Sequence, residues 1–208
     1  NPVFGVSRVL PRVKGRQKHH ASLPYAHVPA FLNALRESGA GELTKLAIEF
    51  AILTAARTAE VLQATWAEID LDSQVWTISG ERMKAGREHR VPLTARSVAV
   101  LKAAKKFGDG GQFVFPGTKS GQALSNMTLL KVAQAVDKSK ITVHGFRSSF
   151  RNWAEEKTNT PRTVTEAALA HVVKDKTEAA YLRSDLFERR RKLMDGWSRF
   201  VTSEPLTV

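Results

Sequence analysis

Residues 142–156, "TVHGFRSSFRNWAEE", set His144 three positions before Arg147 and place Arg151 four positions after it. Read as one helix, the stretch projects His144 and Arg147 from a shared face, because residues three and four apart are neighbours on a helical surface. The two side chains then converge on one small group. A phosphate calls for a fixed cation, and an attacking hydroxyl calls for a base with a pKa near neutrality, which histidine supplies. The plainer reading is a histidine at a helix N-terminus beside an ordinary surface arginine.

Charge extends the argument outward from this pair. The 208 residues carry 32 Lys and Arg against 20 Asp and Glu, a net charge of +12. Such a balance favours a polyanionic partner through phosphate neutralisation and counterion release, and nucleic acid is the leading candidate. A basic but unspecialised solvated surface is the alternative. With 42% apolar residues the chain is long enough for a real core, which predicts one domain or one domain with an appendage. The absence of cysteine excludes a disulfide framework, a thiol nucleophile and a cysteine-ligated metal. A reducing, cytoplasmic location fits. The most apolar stretch, "LAIEFAILTAA", is interrupted by Glu49 and falls short of a bilayer span, so no membrane anchor is expected.

Residues 1–24 contain five Lys or Arg, three prolines and no acid, and read as a basic linker trailing from a missing preceding segment, with residues 25–208 forming one domain that ends in a helix. Pro29 and Gly39 frame a first helix. In the second, "ELTKLAIEFAILTAA", Leu43, Leu46, Ala47, Phe50, Leu53 and Thr54 recur at three- and four-residue steps and mark a core face. Val75, Trp76, Thr77 and Ile78 favour a strand, and "KAGRE" offers a glycine turn before "HRVPL", which predicts a small antiparallel sheet. Helical patterns return in "TARSVAVLKAAKKFG", in "LSNMTLLKVAQAVD" with Ser125 as N-cap, and after Pro161. The fold class is therefore α+β, mostly helical.

Three further places can carry chemistry. In "TAARTAEV", Arg57 leaves an apolar helix with Glu60 three residues on. This is either a surface pair or a guanidinium held at the core edge, ready to fork onto a phosphate. The hairpin "ERMKAGREHRVPL" carries Arg82, Lys84, Arg87 and Arg90. It reads as a solvated tip, or as a finger whose Lys84 donates a proton to a leaving oxygen. In "ALAHVVKDKTEAAYLRSD", His171 ends an alanine-rich helix and Tyr181 sits in apolar company, as a core tyrosine does.

Taken together and in this order, these places resemble the catalytic domain of the tyrosine recombinases, the phage-type integrases, and look closest to those of prophages and genomic islands. The resemblance runs from about Leu23 to about Phe200 and rests on "AARTAEV", the hairpin lysine, "HGFR", "LAH" and "AAYLRSD". It implies the integrase catalytic-domain fold and a bacterial, nucleoid-associated site of action. It also implies site-specific recombination of double-stranded DNA at attachment sites. In that role Arg57 and Arg147 clamp the scissile phosphate, and Tyr181 attacks it to form a 3′-phosphotyrosine. Lys84 is the acid for the 5′-oxygen, His144 takes the tyrosine proton, and His171 hydrogen-bonds the phosphate. Neither cofactor nor metal is implied. Glu60 matches an acidic residue that supports the first arginine.

Two departures stand out. Many members have glycine where this chain has Ala59, and glycine where it has Ala170 before the later histidine. The resemblance also suggests self-association on DNA through the terminal helix "DLFERRRKLMDGWSRFV", whose Leu186, Leu193, Met194, Trp197 and Phe200 share one side. The plainer reading is a helix closing its own core. A non-catalytic DNA-binding accessory protein and a type IB topoisomerase-like relaxing enzyme are the rival functions.

Overall fold

Pro29 and Gly39 do frame the first helix. The computed structural model describes residues 21–119, 121–171 and 185–203. In it a single 3-10 turn, Tyr25–His27, leads into α1 (Val28–Glu37), with proline in the first turn where a missing N–H costs nothing. Next comes α2 (Glu42–Thr54), the central element. From Ala47 to Thr54 every one of its residues is buried. Glu49 survives there because Arg36 and Arg96 both reach it, at 2.6 and 2.7 Å. Burial pushes this carboxyl up, and the hydrogen bonds from Arg96 and Arg36 outweigh that effect and hold it below the usual range.

After the short α3 (Thr58–Leu62), strands β1 (Ile69–Asp70), β2 (Val75–Ile78) and β3 (His89–Pro92) form an antiparallel sheet in that order. Trp76 pairs with Ile69 on one side and Val91 on the other. Trp76 and Ile78 are buried while Val75 and Thr77 are partly exposed, the alternation of a sheet with one face on the core. Helix α4 (Ala95–Phe107) follows, capped by Thr94, and packs along α2. In α5 (Asn126–Val136) the Ser125 hydroxyl accepts the Thr128 N–H at 3.1 Å, the expected N-cap. Helices α6 (Phe146–Lys157), α7 (Arg162–Ala168) and α8 (Phe187–Thr202) complete an α+β fold that is mostly helical.

One expectation is corrected, and one open choice is narrowed. Residues 21–24 do not belong to a linker: Leu23 is buried, its carbonyl accepts the Ser149 hydroxyl, and the Ala21 carbonyl accepts the Thr142 N–H at 3.2 Å. The apolar side of α8 follows the plainer reading and packs within the chain. Leu193, Met194 and Trp197 are buried in the chain's own core, Phe200 packs against it, and the Trp197 ring meets Trp153 and Phe150 at 5.2 and 5.6 Å. Enclosing these rings within one chain removes their apolar area from water without any partner. Among the described residues no helix is long and apolar enough to cross a membrane.

Candidate active site

The site begins where α2 stops. Ala55 takes the left-handed conformation, φ 49°, which ends the helix and turns the chain so that Arg57 becomes the extended N-cap of α3. Buried Glu60 then does two jobs. One oxygen accepts the Arg57 backbone N–H at 2.8 Å, satisfying an orphan donor of the helix start, and the other pairs with Arg57 Nη1 at 2.6 Å. The second guanidinium nitrogen, Nη2, donates to the Ala170 carbonyl at 3.1 Å.

Arg147 approaches the same place from α6. His144 does not share a regular helix with it, because Val143–Gly145 is a 3-10 turn that Thr142 closes by accepting the Gly145 N–H at 3.0 Å. Gly145 is required there: a Cβ would meet the Ala21 carbonyl oxygen at 2.3 Å, so the backbone of residues 21–22 can cross the turn closely. Arg147 itself is 6% exposed. Its Nη1 donates to the Ala55 carbonyl, and its Nη2 donates to the Leu169 carbonyl at 2.7 Å and to His171 Nε2 at 3.2 Å. Burial, followed by the nearby Arg57 charge, pushes the Arg147 guanidinium down to about 10.

His171 is placed by the way α7 ends. The His171 N–H reaches back to the Glu166 carbonyl at 2.9 Å and the Ala170 N–H to Ala167 at 3.1 Å, the paired bonds of a Schellman motif, with Ala170 left-handed at φ 48°. That is the conformation glycine adopts freely, which explains in backbone terms the glycine that many sequences of this pattern carry at the position. The motif also brings its two ends together through their side chains: His171 Nδ1 lies 2.5 Å from Glu166 Oε2. Arg147 has only hydrogens to offer, so Nε2 of the ring accepts and the ring hydrogen sits on Nδ1, donated to Glu166. Burial pushes the His171 pKa down, helped by Arg147, while Glu166 pulls it up; the net direction is down.

The hairpin cations divide into two kinds. Arg82 is a strut, ion-paired with Glu68 and donating to the Glu60 carbonyl at 2.8 Å, and Arg90 pairs with Asp185 at 2.7 Å. Asp185 also receives buried Arg190 at 2.9 Å, and Phe187 lies beneath the guanidinium groups of Arg90, Arg190 and Arg191. Lys84 stands exposed on the turn from Met83 to Gly86, with no ion pair among the described residues. His89, on β3, is partly buried near the arginines; burial and then the Arg190 charge push it down to about 4.

Arg57, Arg147 and His171 are thus brought into one cluster over the consecutive carbonyls of Leu169 and Ala170. Lys84 makes no hydrogen bond to that cluster, and Tyr181 lies outside the described residues. Sequence reasoning missed Glu166 and gave no role to Arg151, 3.1 Å from it. The signal was the five-residue spacing from Glu166 to His171, which a Schellman turn closes and a regular helix does not. Among the described residues no group of three or more His, Asp or Glu gathers as metal ligands.

The chain is similar to known proteins. The prophage integrases IntA and IntZ of Escherichia coli (strain K12) are each 33% identical to the chain, over 190 and 205 residues, covering 90% and 98% of it. Those stretches are 46% and 50% of the two relatives, so the chain spans about half their length. Among solved structures, the integrase from mycobacterium phage Brujita superimposes with a TM-score of 0.62 at 20% identity, over 94% of this chain and 63% of that one. A lambda integrase dimer bound to a COC′ core site gives 0.59 at 20% identity, over 84% of this chain and 51% of that one. At these identities the likeness establishes a shared fold, that of the integrase catalytic domain. With residues 22–186 matched by the family's own model, the chain belongs to the phage integrase family.

Proposed function

We propose that this chain is the catalytic domain of a site-specific DNA integrase that cuts and rejoins double-stranded attachment sites through a 3′-phosphotyrosine on Tyr181. The observation that supports it best is the cluster itself: two guanidinium groups, one buried, held beside an imidazole at the core edge. Such preorganised donors suit the charge that grows on phosphoryl oxygens in a transition state. The Tyr181 oxygen attacks phosphorus as the bond to the 5′-oxygen breaks. His144 accepts the tyrosine proton, and Lys84 donates one to the departing oxygen. Reversal by a different 5′-hydroxyl completes strand exchange, and the covalent link conserves the bond energy.

Assembly on DNA is part of the same reading. A structural neighbour is a lambda integrase tetramer bound to a Holliday junction, with a TM-score of 0.58, and paired-site recombination by this chain calls for a comparable self-association. Since the apolar side of α8 is spent on the chain's own core, a contribution of that helix comes from its solvent-facing side, where Glu188, Arg189 and Lys192 are exposed. Acting on bacterial DNA places the protein in the cytoplasm with the nucleoid.

A duplex bearing the attachment site, nicked so that the cleaved strand cannot religate, tests the reading. A covalent adduct mapped to Tyr181, absent in Tyr181→Phe while DNA binding persists, is the expected result. An adduct that still forms in the phenylalanine variant rules out this nucleophile. Strand exchange on paired sites, set against relaxation of supercoils, separates a recombinase from a topoisomerase-like enzyme.

A further inference from the structure

The Glu166–His171 contact does more than decorate the end of α7. A carboxylate, an imidazole and a guanidinium stand in line: Glu166 Oε2 lies 2.5 Å from His171 Nδ1, and His171 Nε2 lies 3.2 Å from Arg147 Nη2. Behind the carboxylate stands Arg151, 3.1 Å from Glu166 Oε1. We propose that Glu166 is a positioning residue of this site: it fixes the hydrogen of neutral His171 on Nδ1, leaves Nε2 bare toward Arg147, and holds the imidazolium that forms when a phosphate enters. This rests on the integrase reading above and deepens it.

The ring's two nitrogens share one hydrogen while it is neutral. Without DNA, Nε2 accepts a hydrogen from Arg147, so it has none to give. When Arg147 turns its Nη2 onto a phosphate oxygen, Nε2 loses its donor and faces an anion with a lone pair, which is repulsive. Taking a proton from solvent at Nε2 converts that repulsion into a charge-assisted hydrogen bond. Nδ1–H is already committed to Glu166, so the ring cannot shift tautomer without breaking the 2.5 Å contact. Phosphate binding and protonation of His171 are therefore linked, and Glu166 supplies the negative charge that makes the imidazolium tolerable.

Among the described residues, the charged groups near the ring bear on this balance. Arg147 and Arg151 from α6 and Arg57 from α3 oppose the imidazolium, as does Arg162 on α7. Glu60, tied to Arg57, and Glu166 favour it. Glu166 alone of these touches Nδ1. Removing its charge leaves Arg151 without its partner as well, so both effects act in one direction and disfavour protonation.

Nitrogen NMR of the histidine rings tests the proposal on the chain itself, because it reports which ring nitrogen carries hydrogen and at what pH the ring protonates. The wild-type ring is expected to hold its hydrogen on Nδ1, and to protonate at higher pH once duplex DNA is added. In Glu166→Gln, where an amide oxygen still accepts from Nδ1, the same tautomer persists and the midpoint falls by about one pH unit. In Glu166→Ala the tautomers mix. Adduct formation on the nicked duplex follows the ring, with the alkaline limb of its pH profile moved down by the same shift in Glu166→Gln. Hydrogen on Nε2 in the wild-type chain, which needs no variant to fold, overturns the proposal, as does an unchanged midpoint in Glu166→Gln. If the wild-type chain forms no adduct at any pH, the integrase reading fails, and the ring measurements still decide the role of Glu166.

Discussion

The indole Nε1–H of Trp197 donates to the carbonyl of Ile52 at 2.7 Å across 145 positions of sequence. It ties the last helix to the final turn of α2, three residues before the carbonyl on which Arg147 rests. A chain ending before Asp185 loses this bond together with buried Leu193, Met194 and Val201, and is expected to lose cooperative unfolding altogether. Trp197→Ala should cost about 3–5 kcal/mol in urea denaturation. Trp197→Phe keeps most of the ring contacts and should cost less. A truncated chain with native circular dichroism and a sharp melt would overturn the cis-packing account.

Ala170→Gly should stabilise the protein, by about 1 kcal/mol, since the residue holds a left-handed φ of 48° that is unfavourable for a side chain with Cβ. The control is Ala99→Gly, on the exposed side of α4, which should destabilise by about 1 kcal/mol. Parallel urea titrations of the two variants check the signs. The same sign for both removes the argument.

Arg57→Ala and Arg147→Ala should each slow adduct formation by about 10²- to 10³-fold, the scale for losing one preorganised oxyanion donor. Arg147→Lys should recover little, because one ammonium cannot meet the Ala55 and Leu169 carbonyls and a phosphate in the same fork geometry. For Lys84→Ala, a substrate whose 5′-leaving oxygen is replaced by sulfur needs little protonation and should restore cleavage. Single-turnover rates on the nicked duplex measure all four; sulfur without effect moves the acid role away from Lys84.

Stability should fall on acidification well before the carboxylates titrate. His89 protonates at about 4 in the folded chain and near 6.5 when unfolded. Between these values the unfolded state binds the extra proton, so stability is fully present above about 6.5 and declines toward pH 4. The loss from this residue is at most about 3 kcal/mol. His171, also pushed down, acts in the same direction. The comparison that isolates His89 is thus wild type against His89→Gln, whose denaturation midpoints should converge as pH drops from 6.5 to 4. Parallel pH dependences would show that His89 is not buried as a neutral ring.

Local rules made much of the fold legible. Val75 to Ile78 is the β2 strand that β-branched and aromatic residues favour, Ser125 caps α5, and Arg57 meets Glu60 at the core edge. Pattern reading failed where long-range partners decide. Arg82 and Arg90 looked like members of one cationic hairpin, yet Glu68 and Asp185 recruit them, the latter from 95 positions away. Glu166 carried no periodic signal, because a left-handed alanine closes the turn that brings it to His171. The terminal helix had a legible apolar side whose cover was not legible: amphipathicity states that a face is covered and leaves open by what.

The neutral partners of Arg147 have an electrical consequence. Arg36, Arg82 and Arg190 each face a carboxylate, and seen from a distance such pairs are small dipoles whose fields die away quickly. Arg147 rests on two carbonyl oxygens and an imidazole nitrogen, none of which cancels its charge. It remains a monopole, set at the edge of a low-dielectric interior that focuses its field outward. The chain can therefore be dense in ion-paired arginines and still present a guanidinium whose charge no contacting carboxylate cancels.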